Sequence, residues 1–379
     1  MTTPLEFRDQ CFTIGIEEEY QIINPETREL RPRADRVLHA AQEALGDEVQ
    51  RELHLSQIET ASPVCRTLAD VRAELVRLRG EVIAAAARNG DRIAAAGTHP
   101  FSHPGDQPVT PKSRYQGILS TYQALAHELV IFGCHVHVGL DDPEAAVQVM
   151  NRARLWLAPL LALGSNSPFW IGQDTGYASF RAELWARWPM AGQPGVFASR
   201  TEYDALVETL VAAGAIEDAS KIYWDLRLPA RVPTVEFRVT DVCLTIDEAV
   251  MIAGLARALT RTCYEDAMRD APFPPARPEL LRAAHWRAAR YGLTEQLIDV
   301  AAARCVSAPE LIDSLLGFVR PALEEAGDWD EVSAIVRQTL ERGTGAERQR
   351  AAYQRRGRIE DVVDFVLEET ARGTGIEAG

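Results

Sequence analysis

The chain has 379 residues, of which 46% are hydrophobic and 25% charged, and its formal net charge is −15. This composition is that of a globular protein whose length suits one large domain or two to three ordinary ones. The acidic balance argues against a general nucleic-acid-binding protein, and the lack of an apolar run of roughly 18 residues argues against a membrane-spanning one.

The N-terminus and the cysteines favour a cytoplasmic protein. Residues 1–9 lack the basic start and the apolar centre of a signal peptide. The cysteines are widely spaced and include no Cys-x-x-Cys pair, which fits reduced thiols better than a disulfide framework or a zinc knuckle. They are Cys11, Cys65, Cys134, Cys243, Cys263 and Cys305.

Hydrophobic periodicity and turn residues divide the chain into predicted elements. Strands are predicted at 12–23, 92–96, 131–140 and 232–242, with a further extended stretch at 51–60. Helices are predicted from the N-cap Thr67 to Asn89, over 143–163, and near 246–270, 278–291, 307–325, 329–342 and 346–371. Loops are predicted at 97–112, 164–178 and 189–198, and a frayed tail at 372–379. Because strands and helices do not alternate in regular βαβ units, the order favours an α+β fold with a largely antiparallel sheet.

The first predicted strand carries an unusual pair of carboxylates. Side chains alternate between the two faces of a strand, so Glu17 and Glu19 share a polar face with Gln21. They are about 6.5–7 Å apart at the backbone, and two charges at that spacing repel by roughly 2.5 kcal/mol at an effective dielectric constant of about 20. Water, a basic partner or a metal cation must offset that repulsion. Glu18 interrupts the apolar face, and we expect it near an edge or a bend.

The strand over 131–140 places two imidazoles on one face. His135 and His137 share that face with Gly133 and Gly139, and these small neighbours leave room for a ligand. A histidine pair of this kind fits a metal or phosphate contact, or hydrogen-bonded core residues.

The strand over 232–242 repeats the pattern of one polar and one apolar face. Glu236, Arg238 and Thr240 alternate with apolar side chains, which places a carboxylate and a guanidinium two residues apart. By itself this arrangement also fits a surface ion pair.

The stretch over 51–60 contributes Glu52 and Glu59, which are seven residues apart and therefore on opposite faces of a regular strand. Both can face one site only if the backbone bulges or turns between them; otherwise they are surface residues. Together these polar faces fit a sheet that is curled around a polar site. Oxygen-rich ligand sets suit Mg²⁺ or Mn²⁺ better than zinc.

Several of these segments resemble the glutamate–cysteine ligase superfamily, and most closely its bacterial type-2 branch, the YbdK-like carboxylate–amine ligases. The matching motifs occur in order and span about residues 12–370. They are GIEEE (15–19), ELHLSQIE (52–59), GCHVHVGL (133–140), SFRAELWARWP (179–189), YWDLR (223–227), PTVEFRVTD (233–241) and GAERQR (345–350). The resemblance implies one catalytic domain over 1–379, ordered from about 12 to 370. Its fold would be a curved, largely antiparallel β-sheet funnel with helices packed outside, as in glutamine-synthetase-like catalytic folds.

The resemblance also implies roles for individual residues. The positions that match the family's metal ligands are Glu17, Glu19, Glu52, Glu59, His135 and Glu236. Arg238 matches a phosphate-facing arginine, so Arg238 and Glu236 are the implied catalytic residues, and His135 and Arg238 are the implied nucleotide-binding ones. Arg181 is the implied contact for a substrate carboxylate, whereas no family role carries over to His137.

The activity that the resemblance implies is the ATP-dependent ligation of a carboxylate to an amine. Mg·ATP, or its Mn²⁺ form, phosphorylates the γ-carboxylate of L-glutamate to an acyl phosphate. An amine, with L-cysteine as the expected acceptor, then attacks to give a γ-glutamyl amide, ADP and phosphate. Phosphoryl transfer depends mainly on positioning and on neutralising oxygen charges. Because Lys112 and Lys221 are the only lysines, arginine and metal ions must supply most of the positive charge.

Two other functions stay open at this stage. A zinc-dependent hydrolase would use His135 and His137 and would need a third ligand and a base. The sequence has no His-Glu-x-x-His motif, and His99 with His103 is its best second cluster. A non-catalytic regulator would bind nucleotide or metal without turnover. We expect small-molecule substrates and no nucleic-acid or membrane partner, and the apolar helices allow a homodimer without requiring one.

Overall fold

The computed structural model describes residues 12–376. The predictions for the N-terminal leader, for Cys11 and for residues 377–379 lie outside this range. The strands are β1 Ile14–Ile23, β2 Val49–Arg51, β3 Gln57–Ala61, β4 Arg92–Ala94, β5 Gly133–Gly139, β6 Phe169–Trp170, β7 Gln173–Asp174, β8 Ala191–Gly192, β9 Tyr223–Trp224, β10 Leu226–Arg227, β11 Thr234–Asp241, β12 Gln296–Asp299 and β13 Arg304–Ser307. The helices are α1 Ala34–Leu45, α2 Leu68–Arg88, α3 Ser113–Tyr122, α4 Ala124–His127, α5 Pro143–Ala153, α6 Leu157–Leu163, α7 Phe180–Trp185, α8 Arg200–Ala212, α9 Ile246–Met268, α10 Pro278–Tyr291, α11 Ala308–Ala326, α12 Trp329–Arg342, α13 Gly345–Arg356 and α14 Glu360–Ala371.

Seven strands form one antiparallel sheet in the order β10-β11-β5-β1-β3-β2, with β4 added beside β1. β1 is an interior strand. β3 pairs with one edge of β1. The other edge of β1 pairs with β5 over residues 14–18 and with β4 over residues 21–23. The predicted α+β class with an antiparallel sheet is therefore confirmed. Within residues 12–376, no helix has the length and apolarity needed to cross a bilayer.

Two apolar clusters cover this sheet. The larger cluster joins Ile16 of β1 to buried residues of α5, α6, α9 and α11. The smaller cluster joins Tyr20 of the same strand to buried residues of α1 and α14. α2 contributes to both, with Leu75 in the larger cluster and Leu78 in the smaller one. The polar side chains of the sheet are thus positioned by a scaffold that is packed along its whole length.

Glu18 lies in the interior of the molecule rather than near an edge or a bend. Its exposed fraction is only 1%. Arg79 of α2 donates from Nε to Glu18 Oε2 at 2.8 Å, and the Tyr20 hydroxyl donates to the same oxygen at 2.5 Å. Arg79 also donates to the backbone oxygens of Cys243 at 2.8 Å and Leu244 at 3.2 Å. This buried ion pair compensates both charges, which is why a carboxylate can interrupt the apolar face.

Local capping chemistry explains the best-predicted helix start. Thr67 caps α2, because its hydroxyl accepts from the Asp70 N–H at 3.1 Å while the Asp70 carboxylate accepts from the Thr67 N–H at 2.9 Å. This reciprocal pair is a capping box. The prediction of Thr67 as the N-cap is confirmed.

The long helix predicted over 143–163 is two helices. A 3₁₀ turn at Arg154–Trp156 separates α5 from α6. Pro159 has no N–H that could bond the carbonyl of Leu155, which breaks the α-helical pattern at this point. The predicted single helix was therefore wrong in its middle and right at both ends.

The C-terminal predictions differ from the structure in two ways. The helix predicted over 346–371 is interrupted between α13 and α14, where Gly357 adopts a φ of 67°, a conformation that ends helices. The described part of the predicted tail is packed rather than frayed, because Ile376 is partly buried against the smaller apolar cluster. The loops predicted over 164–178 and 189–198 contain the short strands β6, β7 and β8.

Candidate active site

Strand register places acidic and imidazole side chains opposite one another on the polar face of the sheet. Residues directly opposite on neighbouring strands have adjacent side chains. The three register pairs are Glu19 with Glu59, Glu17 with His135, and Glu236 with His137. Like charges directly opposite each other destabilise a sheet, so the Glu19–Glu59 pair needs a bound proton, a basic neighbour or a cation to offset the repulsion.

The first group that could hold a cation consists of Glu17, His135 and Glu236, whose ligand atoms lie within 4.8 Å of one another. His135 Nδ1 is 3.2 Å from Glu17 Oε2. Burial and the charge of Arg238 lower the pKa of His135 to about 4, so a neutral imidazole is available as a ligand at pH 7. Burial alone would raise the pKa of Glu17, but hydrogen bonds with His135 and His137 hold it well below its usual value.

The second group consists of Glu19, Glu52 and Glu59, whose ligand atoms also lie within 4.8 Å of one another. Burial and the charge of Glu52 raise the pKa of Glu19 to about 7. Burial and the neighbouring carboxylates raise the pKa of Glu59 well above its usual value. The Tyr115 hydroxyl donates to Glu52 Oε2 at 2.9 Å, and the Gly133 N–H donates to Glu19 Oε2 at 2.6 Å. A divalent cation would replace the bound protons and remove the repulsion among the three carboxylates.

A hairpin explains how Glu52 and Glu59 reach the same group. The expected extended stretch is instead two strands, because the chain turns over residues 52–56 between β2 and β3. Gln50 is opposite Glu59 in the hairpin, and Glu52 follows Gln50 by two residues, which keeps it on the same face. A turn therefore reverses the chain direction, and the seven-residue spacing no longer separates the two carboxylates.

Glu236 is held between two guanidinium groups. Arg227 donates from Nε to Glu236 Oε2 at 2.6 Å, and Arg238 donates from Nη1 to Oε1. Burial alone would raise the pKa of Glu236, but Arg238 and His137 lower it to about 2. Arg238 also lies over Trp185, with its Cζ 5.7 Å from the ring centroid. Arg227 was not among the predicted site residues, although the YWDLR segment contains it.

Arg181 reaches the site from the first turn of α7. It donates from Nη2 to the backbone oxygen of Arg238 at 3.3 Å, and its Nη1 is 4.0 Å from Asp241 Oδ1. A Cβ added at Gly133 would collide with this guanidinium. The space that the sequence predicted for a ligand beside Gly133 is thus occupied by Arg181.

A bulge changes which side chains of β11 face the site. The pairing of β11 with β5 shifts by one residue between Phe237 and Thr240, as in a β-bulge. Thr240 is therefore opposite the core residue Cys134, and its predicted place on the face of Glu236 is wrong. Asp241, which was not among the predicted site residues, takes the polar face instead.

His137 lies beside the first group. Its Nδ1 is 3.0 Å from Thr234 Oγ1, and its Nε2 is 3.4 Å from Glu17 Oε1 and 3.9 Å from Glu236 Oε1. Burial lowers the pKa of His137, but Glu17 and Glu236 reverse this and raise it above its usual value. The two carboxylates therefore favour the protonated form of His137.

The histidine cluster that a zinc hydrolase needs is not formed by His99 and His103. His99 Nδ1 accepts from the Ser102 N–H at 2.9 Å, and its Nε2 lies 2.9 Å from the backbone oxygen of Arg28. His103 is exposed. Both ring nitrogens of His99 are used by the backbone, which makes it a structural residue of its loop.

Two cavities meet at Glu17. The carboxylate cavity has a volume of about 300 Å³ and is lined by the second group of glutamates together with Arg114, Arg181 and Arg238. The apolar cavity has a volume of about 540 Å³, and His137 lies at its wall. Its apolar lining includes Ile16, Val64, Val232 and Pro233. Arg114 is a further cationic residue that the sequence analysis did not select.

The sequence model of glutamate–cysteine ligase family 2 matches residues 13–365. This chain belongs to that family. It is 46% identical over 366 residues to a provisionally named glutamate–cysteine ligase 2 of Rhodopirellula baltica, an alignment that covers 95% of this chain and 97% of the relative. It is 42% identical over 377 residues to a provisionally named glutamate–cysteine ligase 2-2 of Frankia alni, with 94% and 97% covered.

A solved structure of the glutamate–cysteine ligase of Francisella tularensis in complex with AMP has a similar fold. The TM-score is 0.70 at 14% identity, with 98% of this chain and 91% of that chain covered. A bifunctional glutathione synthetase from Pasteurella multocida matches with a TM-score of 0.66 at 15% identity, with 95% and 52% covered. These likenesses concern the fold. Family membership identifies this family 2 protein as an ATP-dependent ligase that joins a carboxylate to an amine.

Proposed function

We propose that this ligase uses Mg·ATP to phosphorylate the γ-carboxylate of L-glutamate, in the cytoplasm, and that an amine then displaces phosphate to form a γ-glutamyl amide. L-Cysteine is the acceptor that we expect first. The observation that carries the proposal is the pair of ligand groups on neighbouring strands, each with its ligand atoms within 4.8 Å of one another. Two such groups suit a reaction between two highly charged substrates.

The ligand chemistry fits Mg²⁺ or Mn²⁺. Carboxylate oxygens dominate both groups, and His135 is the only imidazole among their six ligands. Hard divalent cations prefer such oxygen ligands. When bound, the cations would neutralise phosphate and carboxylate oxygens and orient them for in-line transfer. Binding of a cation would favour proton release from Glu19 and Glu59, because the pKa values of both carboxyl groups are raised in its absence.

The two cavities support different occupants. The apolar cavity beside His137 is large enough for a nucleoside, and its aliphatic lining suits a purine ring. The carboxylate cavity, which contains Arg114 and Arg181, suits the charged ends of glutamate. Glu17 lines both cavities, so we propose that the phosphoryl group is transferred close to this residue.

The arginines would stabilise charge during the transfer. Arg238 presents a planar guanidinium in the carboxylate cavity, and its position is maintained by Glu236 and by the ring of Trp185. A rigid fork of N–H donors matches two oxygens of a phosphoryl group. We propose that Arg238 contacts the transferred phosphoryl group and that Arg181 contacts a substrate carboxylate.

The test is ADP release from Mg·ATP by the purified protein. Glutamate would be added alone and then together with each member of an amine panel that includes cysteine. We expect a cysteine-dependent rise in ADP, with γ-glutamylcysteine detected by mass spectrometry. If ADP release depends on glutamate and does not change with cysteine, the acyl-phosphate step of the proposal stands and cysteine is not the acceptor. No ADP release with any amine would contradict the proposal.

Two variants test the site itself. Glu236→Gln should abolish ADP release while the protein stays folded by circular dichroism, because the neutral amide removes a ligand charge and frees Arg238. Arg238→Lys should lower the rate by about tenfold or more, because lysine cannot make two parallel hydrogen bonds. Glu208→Gln is the matched control, since Glu208 is exposed on α8, and its rate should equal that of the parent protein. Normal turnover by Glu236→Gln would remove Glu236 from the site.

A further inference from the structure

A third cavity lies behind the wall of the ligase site. Its volume is about 660 Å³, and its lining includes Trp185, Trp188, Asp225, Arg154 and His285. Trp185 and Trp188 also line the carboxylate cavity, so their side chains form a partition between the two spaces. We call this third space the Asp225 cavity. None of the metal-ligand groups described above belongs to it.

Asp225 brings to this cavity a buried carboxylate whose Oδ2 accepts no hydrogen bond from the described residues. Its side chain is only 4% exposed, and among residues 12–376 no group donates a hydrogen bond to its Oδ2. Its backbone is fully used, since its N–H donates to Gly192 and its carbonyl accepts from the Arg238 N–H, both at 2.8 Å. An unsatisfied buried carboxylate is costly, so we expect it to serve a ligand.

His285 faces the same carboxylate without bonding it. His285 Nδ1 is 3.6 Å from Asp225 Oδ2, which is beyond a hydrogen bond. Both atoms are buried and lack a partner within the described part of the chain. A cationic N–H group placed beside this pair could donate to the carboxylate and, in the imidazole tautomer that has its proton on Nε2, also to His285 Nδ1.

Arg154 brings the opposite charge to the cavity. It is 3% exposed, and its three nitrogens donate to the backbone oxygens of Asn151, Pro194 and Ala276 at 3.3–3.4 Å. A guanidinium has five N–H donors, so two are left. In the described part of the chain, no carboxylate oxygen lies within 4 Å of the Arg154 guanidinium. Burial therefore lowers the pKa of Arg154, and no acidic neighbour in that part of the chain raises it again.

The other arginines of the cavity are different. Arg187 is already paired, since its Nη1 lies 2.6 Å from Glu128 Oε2. Arg282 is exposed at the rim. Arg154 is thus the buried cation whose charge stays uncompensated, just as Asp225 is the buried anion without a hydrogen bond.

We propose that the Asp225 cavity binds a free α-amino acid. Asp225 and His285 would accept hydrogen bonds from its ammonium group, and Arg154 would donate to its carboxylate. One zwitterion satisfies both groups, whereas a simple cation or anion satisfies only one of them. A volume of about 660 Å³ is ample for such a ligand. The site is separate from the ligase centre, so it does not depend on the function proposed above.

The partition couples the two spaces physically. Trp185 lies against Arg238, and the Arg238 N–H bonds the Asp225 carbonyl. An occupant of the Asp225 cavity therefore touches the residues that support the phosphate-facing arginine. It also changes the surroundings of two indoles, which makes tryptophan emission a direct report of binding.

The experiment is a titration of the full chain, without nucleotide and with a chelator present. Standard α-amino acids are added one at a time, and binding is followed by tryptophan fluorescence and by calorimetry. We expect saturable binding of at least one of them. Methylammonium and acetate, each with one of the two charges, should bind about tenfold or more weakly, because each loses a charge-assisted contact. The absence of saturable binding by any amino acid would overturn the proposal, as would equal binding of methylammonium.

Variants locate the site. Asp225→Asn and Arg154→Met should each weaken binding by about tenfold or more, and Ala191→Leu should do so by filling the cavity. Glu59→Gln is the control in the ligase centre and should leave binding unchanged. Binding that is lost in Glu59→Gln and kept in Asp225→Asn would place the ligand in the ligase centre and refute the proposal. If Arg154→Met does not fold, Asp225→Asn and Ala191→Leu still decide the question.

Discussion

His99 and His103 have the same side chain, four residues apart in one loop, and very different surroundings. His99 is buried, and both of its ring nitrogens contact the backbone. Burial lowers the pKa of His99 to about 3, whereas an unfolded chain has a histidine pKa of about 6.5. The folded protein therefore keeps this imidazole neutral where the unfolded chain takes up a proton.

This difference predicts how stability depends on pH. Since the pKa is lower in the folded state, the stabilisation by His99 is present above about pH 6.5 and is lost as pH falls towards 3. Between pH 6.5 and pH 5 the loss is about 2 kcal/mol. In His99→Asn the amide oxygen replaces Nδ1 as the acceptor, so the unfolding free energy measured in urea should fall less steeply with acidification. His103→Asn is the control and should keep the parent slope. An unchanged slope in His99→Asn would contradict the assignment.

At the residue scale, the sequence predicted which side chains of β1 and β5 share one face of the sheet. Glu17, Glu19, His135 and Glu236 lie together on the polar face, as strand alternation requires. Arg227 was not selected, because its strand has only two residues and shows no alternation. The partner of Glu18 could not be predicted from the sequence either, because Arg79 is 61 residues away in the chain.

At the scale of elements, Asp241 connects the end of β11 to the start of α7. It accepts hydrogen bonds at 2.7 Å from the Asn166 N–H and from the hydroxyls of Ser167 and Ser179. Ser179 is the N-cap of α7, the helix that carries Arg181 into the site. Asp241 therefore positions Arg181 and need not touch a substrate.

Asp241→Asn tests this connection. The amide nitrogen would replace an oxygen that accepts a hydrogen bond, so two donors would face each other in a buried place. We expect the unfolding free energy to fall by about 1–3 kcal/mol and the KM for glutamate to rise more than kcat falls. Asp174→Asn is the matched control, because Asp174 forms an exposed ion pair with Arg350 and should cost less than about 1 kcal/mol. A stable variant with an unchanged KM would leave Asp241 without a positioning role.

Elements were predicted unevenly for a physical reason. The Thr67 cap was found because a capping box lies within four residues. The bulge in β11 was not found, because it arises where Thr240 meets Cys134 on another strand. The sequence left a bulge or a turn between Glu52 and Glu59 open and could not decide between them, because the turn over residues 52–56 is stabilised by contacts with a distant segment, among them the Leu55 N–H bonded to the Pro108 carbonyl.

At the scale of the molecule, the two apolar clusters share one sheet and one long helix. Ile16 and Tyr20 lie on the same strand but belong to different clusters. Leu75 and Leu78 likewise lie on the same helix, α2, and belong to different clusters. Neither cluster can lose its packing without exposing part of the other. We therefore propose that the chain is one cooperative domain.

This proposal predicts a single unfolding transition. Far-ultraviolet circular dichroism and tryptophan fluorescence, followed in the same urea titration, should give coincident midpoints, because secondary structure and packing are lost together. Val82→Ala in the smaller cluster and Val250→Ala in the larger one should both move this single midpoint to lower urea. Two separated transitions, each moved by one of these variants, would show that the chain contains two domains.

The sequence by itself determined which side chains of β1 and β5 share the polar face, because alternation is a property of the local backbone in a strand without a bulge. It also determined the family, because the motifs occur in order along the chain. Only the tertiary structure decided which of those side chains meet. Three features depend on the packing of distant apolar residues: the register that opposes Glu19 to Glu59, the turn that brings in Glu52, and the cavity that Asp225 and Arg154 both line. That packing buries a large apolar surface, and its contribution to stability outweighs the conformational preferences of single residues. It therefore sets the register in which each strand pairs.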